Sequence, residues 1–416
     1  MPGDKSISHR AALISALAGG TSTVENFSTG QDCAATLTCL SSLGVKIERE
    51  GTTVCVHGSR LRPPARALDC GNSGSTMRMI AGVLAAQNFE ATLVGDASLS
   101  SRPMKRIVAP LEKMGAQIRT NNGCPPLHIR GRAALSAIRY EMPVASAQVK
   151  TSLLLAGLSA NGRTEITEPV CTRDHTERML RWFGVPVEST DELGPATTSV
   201  AGPVSFNAAN VKIPGDFSSA AYLLVAAAML PGSEVEIKGV GLNPTRTQLL
   251  DVLRGVNADI EILDVREDSN EPVGTIRIRS NPLAPREPSN VIEGELIVAL
   301  IDELPLLAVL GTQIPGCLIF RNAAELRVKE TDRIETTTKN LRAMGAQVDE
   351  FEDGFAVNGP VRLNAATIHS YGDHRIALAF SVAALVAEGE SEIIDSECVA
   401  VSFPDFFARL ESLVER

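Results

Sequence analysis

The chain has 416 residues, 44% of them hydrophobic, which is ample for a large core and long for one domain, so two domains are expected. A net charge of −10 excludes the broad basic surface that nucleic-acid binding demands, but allows a local basic cluster for a small anion. Aromatic residues make up only 4%, so the core must come from Ala, Leu, Val and Ile, which suits close-packed, small-faced helices.

The start, Met1-Pro2-Gly3-Asp4-Lys5, shows no apolar signal region and no Arg-rich transit segment. The longest apolar stretches fall short of the roughly 18 residues a membrane span needs. A soluble cytoplasmic protein with no membrane partner is expected. The eight cysteines (33, 39, 55, 70, 124, 171, 317 and 398) form no CxxC and no metal spacing with the six histidines. They are read as free buried thiols, with no metal and no cofactor.

Along the chain, six polar clusters each precede an apolar, small-residue helix. They are PGDKSISHR (2–10), GNSGSTMR (71–78), SAQVKTS (146–152), PGDFSSA (214–220), IDELP (301–305) and YGDHR (371–375). Two of the predicted helices are Ser218–Leu230 and Arg375–Ala387. A turn and a short alternating strand follow, as in Gly162–Ile166, Gly232–Ile237 and Gly389–Ile393. Then come amphipathic helices such as Thr245–Leu253 and Asp332–Met344, and further strands such as Val45–Glu48 and Ala346–Glu350.

Those amphipathic helices end in a recurring signature, Leu-x-x-hydrophobic-Gly-hydrophobic. It reads LSSLGV, LEKMGA, LRWFGV and LRAMGA, with glycine at 44, 115, 184 and 345, plus a copy LRGVNA with Asn257 in the glycine place. Asn is the next-best residue for a left-handed helix end. The copies recur roughly every 70 residues, the last interval lengthened by a polar stretch, 264–290, so six α/β units account for the chain.

Gly, Ser, Asp and Asn in the polar clusters cap helix N-termini, and capping alone is a sufficient reading of PGDFSSA. Capping does not explain Lys5, Arg10, Arg78 and Arg375, which sit where the helix dipole disfavours cations. A helix N-terminus beside a Lys or Arg is an anion site. Two more clusters, GDASLSSRPMKR (95–106) and LRVKETDR (326–333), read either as solvated faces or, for the second, as a carboxylate held among cations and able to exchange protons.

Taken in order, PGDKSISHR, GNSGSTMR, GDASLSSRPM, SAQVKTSLLLAG, TRDHTERM, PGDFSSA, LRVKETDR and GDHRIAL resemble the motifs of 3-phosphoshikimate 1-carboxyvinyltransferase, the EPSP synthase family, from Pro2 to about Phe407. The resemblance implies an α/β (α+β) enolpyruvyl-transferase fold of six βαβαββ-type repeats, three per domain. The first domain would be 1–4 plus 215–416 and the second 5–214, with the active site in the cleft between them.

It implies that Lys5, Ser6, Arg10, Ser146, Gln148, Thr172, Arg173, Asp302 and Lys329 bind shikimate 3-phosphate. Lys5, Asn72, Gly74, Arg102, Gln148, Arg333 and Arg375 would bind phosphoenolpyruvate. Asp302 would be the base, with Glu330 and Lys5 exchanging protons with the vinyl carbon. Addition of the substrate 5-hydroxyl would precede loss of phosphate. A monomer without cofactor is implied, and Gly74 matches the glyphosate-sensitive form. The family pattern usually begins with a strand ahead of PGDKS, so a strand of the first domain is expected to be missing. Val401-Ser402 replace a family lysine before Phe403, and Ser75 and Met79 differ from other forms of their loop. The competing readings are the sister transferase acting on UDP-N-acetylglucosamine, whose reactive loop cysteine is absent from GDASLSSRPM, an inactive binding relative, an RNA 3′-phosphate cyclase relative, and one part of a larger shikimate-pathway polypeptide.

Overall fold

The computed structural model describes residues 1–190 and 195–413. The chain falls into two compact units. The N-terminal unit is Gly3–Pro214 with Glu267–Glu271, and the C-terminal unit is Met1–Pro2, Gly215–Arg266 and Pro272–Arg416. The first break lies at Pro2–Gly3 rather than after Asp4, because the Asp4 side chain caps the first helix of the N-terminal unit. Each unit has its own hydrophobic core.

The N-terminal unit carries α1 (Lys5–Leu17), α2 (Gln31–Ser42), α3 (Gly74–Ala85), α4 (Ala97–Ser100), α5 (Lys105–Lys113), α6 (Ala147–Gly157) and α7 (His175–Trp182). The C-terminal unit carries α8 (Phe217–Met229), α9 (Gln248–Gly255), α10 (Glu295–Leu300), α11 (Leu304–Gly311), α12 (Arg333–Ala343), α13 (His374–Ala384) and α14 (Phe406–Leu413). All six polar clusters sit at the starts of the apolar helices α1, α3, α6, α8, α11 and α13. These are the buried centre of each unit; every residue of α8 is buried. Their small residues permit close approach: at Gly82 on α3 an added Cβ would lie 2.0 Å from the Ser152 carbonyl oxygen of α6.

Among the described residues, six small sheets accompany the helices. Four of them share a plan, a parallel pair extended by antiparallel strands, as in Leu68–Asp69 alongside Glu90–Val94, then Cys124–Arg130 and Gln117–Asn121. The sheet formed by Thr367–His369 and Glu392–Ile394 holds two strands, where the other five hold three to five.

The repeat signature has a local cause. The residues at 44, 115, 184, 257 and 345 all have positive φ, between 75° and 109°. In every copy the amide two residues beyond the helix cap bonds back to the signature leucine: Val45 to Leu40, Ala116 to Leu111, Val185 to Leu180, Ala258 to Leu253 and Ala346 to Leu341. The left-handed residue bonds three residues back, as Gly44 does to Ser41. This is the Schellman closure, which pairs the leucine with the apolar residue after the glycine.

The cysteines depart from the expectation of burial. All eight are free, but only Cys33, Cys39 and Cys70 are buried, and Cys171 is exposed because it lies in the loop between a strand end and α7. Among the described residues no helix is long and apolar enough to cross a membrane.

Candidate active site

In the N-terminal unit, Asp4 caps α1 by accepting from the Ile7 amide at 2.8 Å. Lys5 follows and pairs with Asp32 on the first turn of α2 at 3.0 Å. Ser6 is half-buried, and its carbonyl accepts from Arg10 at 2.8 Å. Arg10 is buried and donates to two threonine hydroxyls, Thr176 at 2.7 Å and Thr151 at 2.8 Å. Burial pushes its pKa down to about 10, which still leaves it charged at neutral pH.

Ser73 caps α3, and the residues around that terminus form one cluster. The Asn72 amide donates to Asp96 at 2.7 Å, while its oxygen accepts from Arg102 at 2.7 Å. Arg102 also reaches Ser98 at 3.0 Å. Arg78 donates to the Gln148 oxygen at 2.8 Å, and the Gln148 amide donates to Ser75 at 2.8 Å. Gly74 lies beneath both arginines: a Cβ there would stand 2.7 Å from Arg78 Nη1 and 3.4 Å from Arg102 Nη1. Ser146 caps α6 through the Val149 amide.

Behind this, Lys150 is buried between Glu168 and Glu177, at 2.7 Å from each. Burial opposes its charge, but the two carboxylates outweigh burial and hold its pKa above the ordinary lysine value. The Lys150 ammonium also reaches the Thr172 carbonyl at 3.4 Å, and the Thr172 hydroxyl donates to Glu168. Thr172 is therefore buried and anchored, while Arg173 beside it stays half-exposed. His175 meets Glu271 at 2.7 Å, because the turn Glu267–Glu271 belongs to this unit.

In the C-terminal unit the charged residues converge around two arginines. Arg333, at the start of α12, is 1% exposed. It donates to both Asp373 oxygens, at 2.8 and 3.1 Å, and to Glu330 at 2.6 Å, and lies 3.6 Å from Asp302. Burial opposes its charge, but Asp373 and Glu330 outweigh burial and keep its pKa above the usual arginine value. Arg375, on the first turn of α13, lies 3.9 Å from the other Asp302 oxygen, 3.7 Å from Glu303 and 3.5 Å from the Tyr222 hydroxyl. Asp302 thus stands between two guanidiniums, one carboxylate oxygen toward each.

The charge run 326–333 divides in two. Arg327 pairs with Asp332 at 2.7 Å and Lys329 with Glu325 at 3.1 Å, as on a solvated face. Glu330 and Arg333 join the cluster around Asp302. Sequence reasoning singled out Arg78 only as a misplaced cation, and passed over Asp32, Asp96 and Asp373 as partners. The one signal for Asp373 is its place as N-cap of α13, where it accepts from the Arg375 amide at 2.9 Å.

The arrangement offers guanidiniums for anions in both units and, in the C-terminal unit, a carboxylate placed to accept a proton. The family profile described as EPSP synthase (3-phosphoshikimate 1-carboxyvinyltransferase) matches residues 1–410. The chain is 49% identical over 421 aligned positions to the 3-phosphoshikimate 1-carboxyvinyltransferase of Geobacillus kaustophilus, covering 100% of this chain and 96% of that one. It is similar to the solved EPSP synthase of Acinetobacter baumannii, with a TM-score of 0.86, 41% identity and coverage of 99% and 94%. The enolpyruvyl transferase NikO of Streptomyces tendae shares the fold at a TM-score of 0.77 and 19% identity, covering 99% and 93%.

Proposed function

The chain belongs to the EPSP synthase family and carries its shikimate-pathway activity, 3-phosphoshikimate 1-carboxyvinyl transfer, and on that premise we propose how its side chains divide the work. Phosphoenolpyruvate and shikimate 3-phosphate are the substrates. Lys5, Ser6, Arg10, Ser146, Gln148, Thr172 and Arg173 of the N-terminal unit hold shikimate 3-phosphate, with Asp302 and Lys329 of the C-terminal unit. Arg102, Arg333 and Arg375 clamp phosphoenolpyruvate, with Lys5, Asn72, Gly74 and Gln148. The protein works in the cytoplasm as a monomer.

Asp302 takes the proton of the substrate 5-hydroxyl as that oxygen attacks C2 of phosphoenolpyruvate. Lys5 or protonated Glu330 delivers a proton to C3. The tetrahedral adduct then loses phosphate, and a proton leaves C3 to restore the double bond. The arginines offset negative charge on the carboxylate and the departing phosphate. The observation that carries this reading is Asp302 standing 3.6 Å from Arg333 and 3.9 Å from Arg375, a base flanked by two anion clamps.

The test is phosphate release from phosphoenolpyruvate, with shikimate 3-phosphate or UDP-N-acetylglucosamine as acceptor. Release is expected with the shikimate substrate alone. Asp302→Asn should lower kcat by ~10²–10⁴ with a smaller change in KM, the range for loss of a general base. If substrate binding collapsed while bound substrate still turned over, Asp302 would be a binding group only.

A further inference from the structure

Ser218 of the PGDFSSA cluster does more than its capping neighbour Asp216, which accepts from the Ser219 amide at 2.9 Å. The Ser218 hydroxyl donates to Glu303 and accepts from Arg246 Nη2. All three side chains are buried, at 2% to 3% exposed. The same Glu303 oxygen, Oε1, lies 3.7 Å from Arg246 and 3.7 Å from Arg375.

The two anion clamps of this unit therefore differ. Arg333 spends three hydrogen bonds on carboxylates, two on Asp373 and one on Glu330. Arg375 keeps Glu303 and Asp302 at 3.7 and 3.9 Å, beyond hydrogen-bonding distance. A small movement of Glu303 would close a full salt bridge and neutralise Arg375. A charge-assisted hydrogen bond of that kind would compete with an incoming anion for the guanidinium. The groups that hold Glu303 back are the Ser218 hydroxyl and the Arg246 guanidinium.

We propose that Arg246 and Ser218 are positioning residues that restrain the Glu303 carboxylate and so leave the Arg375 charge available to phosphoenolpyruvate. This rests on the reading of Arg375 as a phosphoenolpyruvate clamp. Arg246 touches no reacting atom; it acts through Glu303. It lies in the turn before α9, outside every motif that carries the family resemblance.

The test is steady-state kinetics of four variants with both substrates, alongside thermal melts. Arg246→Met should raise KM for phosphoenolpyruvate about tenfold, with kcat within about threefold and KM for shikimate 3-phosphate unchanged. Arg246→Met combined with Glu303→Gln should bring that KM back toward the native value, because the competing charge is gone. A role in folding alone would not give this recovery. Ser218→Ala removes one hydroxyl and should raise the same KM by about threefold. It decides the matter if Arg246→Met fails to fold. Unchanged KM in Ser218→Ala and Arg246→Met, or no recovery in the double variant, overturns the proposal. Arg375→Met separates the two readings: if it leaves KM for phosphoenolpyruvate unchanged, the clamp assignment itself falls. If it raises KM while Arg246→Met does not, only the positioning role falls.

Discussion

Gly74 turns the first residue of α3 into space for two guanidiniums. With a Cβ 2.7 Å from Arg78 Nη1 and 3.4 Å from Arg102 Nη1, alanine must push at least one arginine aside. Gly74→Ala should raise KM for phosphoenolpyruvate by about tenfold and weaken inhibition by glyphosate, which is expected to inhibit the native chain. An unchanged KM and an unchanged inhibition curve would remove Gly74 from the site. His9 offers a test through pH. Burial, then Lys5 and Arg10, hold its pKa well below the ordinary 6.5. Below that pH the unfolded chain binds a proton that the folded chain refuses, so stability is complete above pH 6.5 and falls on acidification. Melts between about pH 7.5 and pH 5 should show a shallower acid slope in His9→Gln than in the native chain.

At the level of the element, helix ends were the most readable part of the sequence. A leucine, a glycine four residues on and an apolar residue beyond encode a closure made wholly of local hydrogen bonds, and all five copies adopt it. At Gly184 an added Cβ would meet nothing within 4 Å, so Gly184→Ala isolates the backbone cost and should destabilise by about 1–2 kcal/mol in denaturant titration. Gly82→Ala forces α3 off α6 instead and should cost about 1–3 kcal/mol or more. Boundaries were less readable. The helix expected from Thr245 starts at Gln248, because Asn243 accepts from the Thr245 amide and hydroxyl and winds 244–247 into a turn. The helix expected to reach Ala387 stops at Ala384, where Leu385 and Val386 tighten to bonds three residues back. Partners distant in sequence, such as Asp373 for Arg333, Glu271 for His175 and Thr151 for Arg10, leave no periodic trace, so the family motifs named the cations but not what holds them.

For the whole molecule, the residues proposed to hold shikimate 3-phosphate all belong to the N-terminal unit except Asp302 and Lys329. Shikimate 3-phosphate at ~100 times its Kd should add about 2.7 kcal/mol to the unfolding free energy. In hydrogen exchange the added protection should fall mainly on α1, α6 and α7. Protection confined to the C-terminal unit would contradict the assignment.

Each unit also closes its own seam where the chain passes between them. The Asp4 amide bonds to the Pro214 carbonyl within the N-terminal unit, and the Asp216 amide to the Pro2 carbonyl within the C-terminal unit. During translation, at ~5–20 residues per second, Pro2 leaves the ribosome roughly 10–40 seconds before Asp216 is made. The N-terminal unit has nearly all its residues by then, whereas the C-terminal unit still lacks almost everything that Met1–Pro2 will join. The order of synthesis therefore favours assembly of the N-terminal unit first, with Met1–Pro2 waiting for a partner half a chain away.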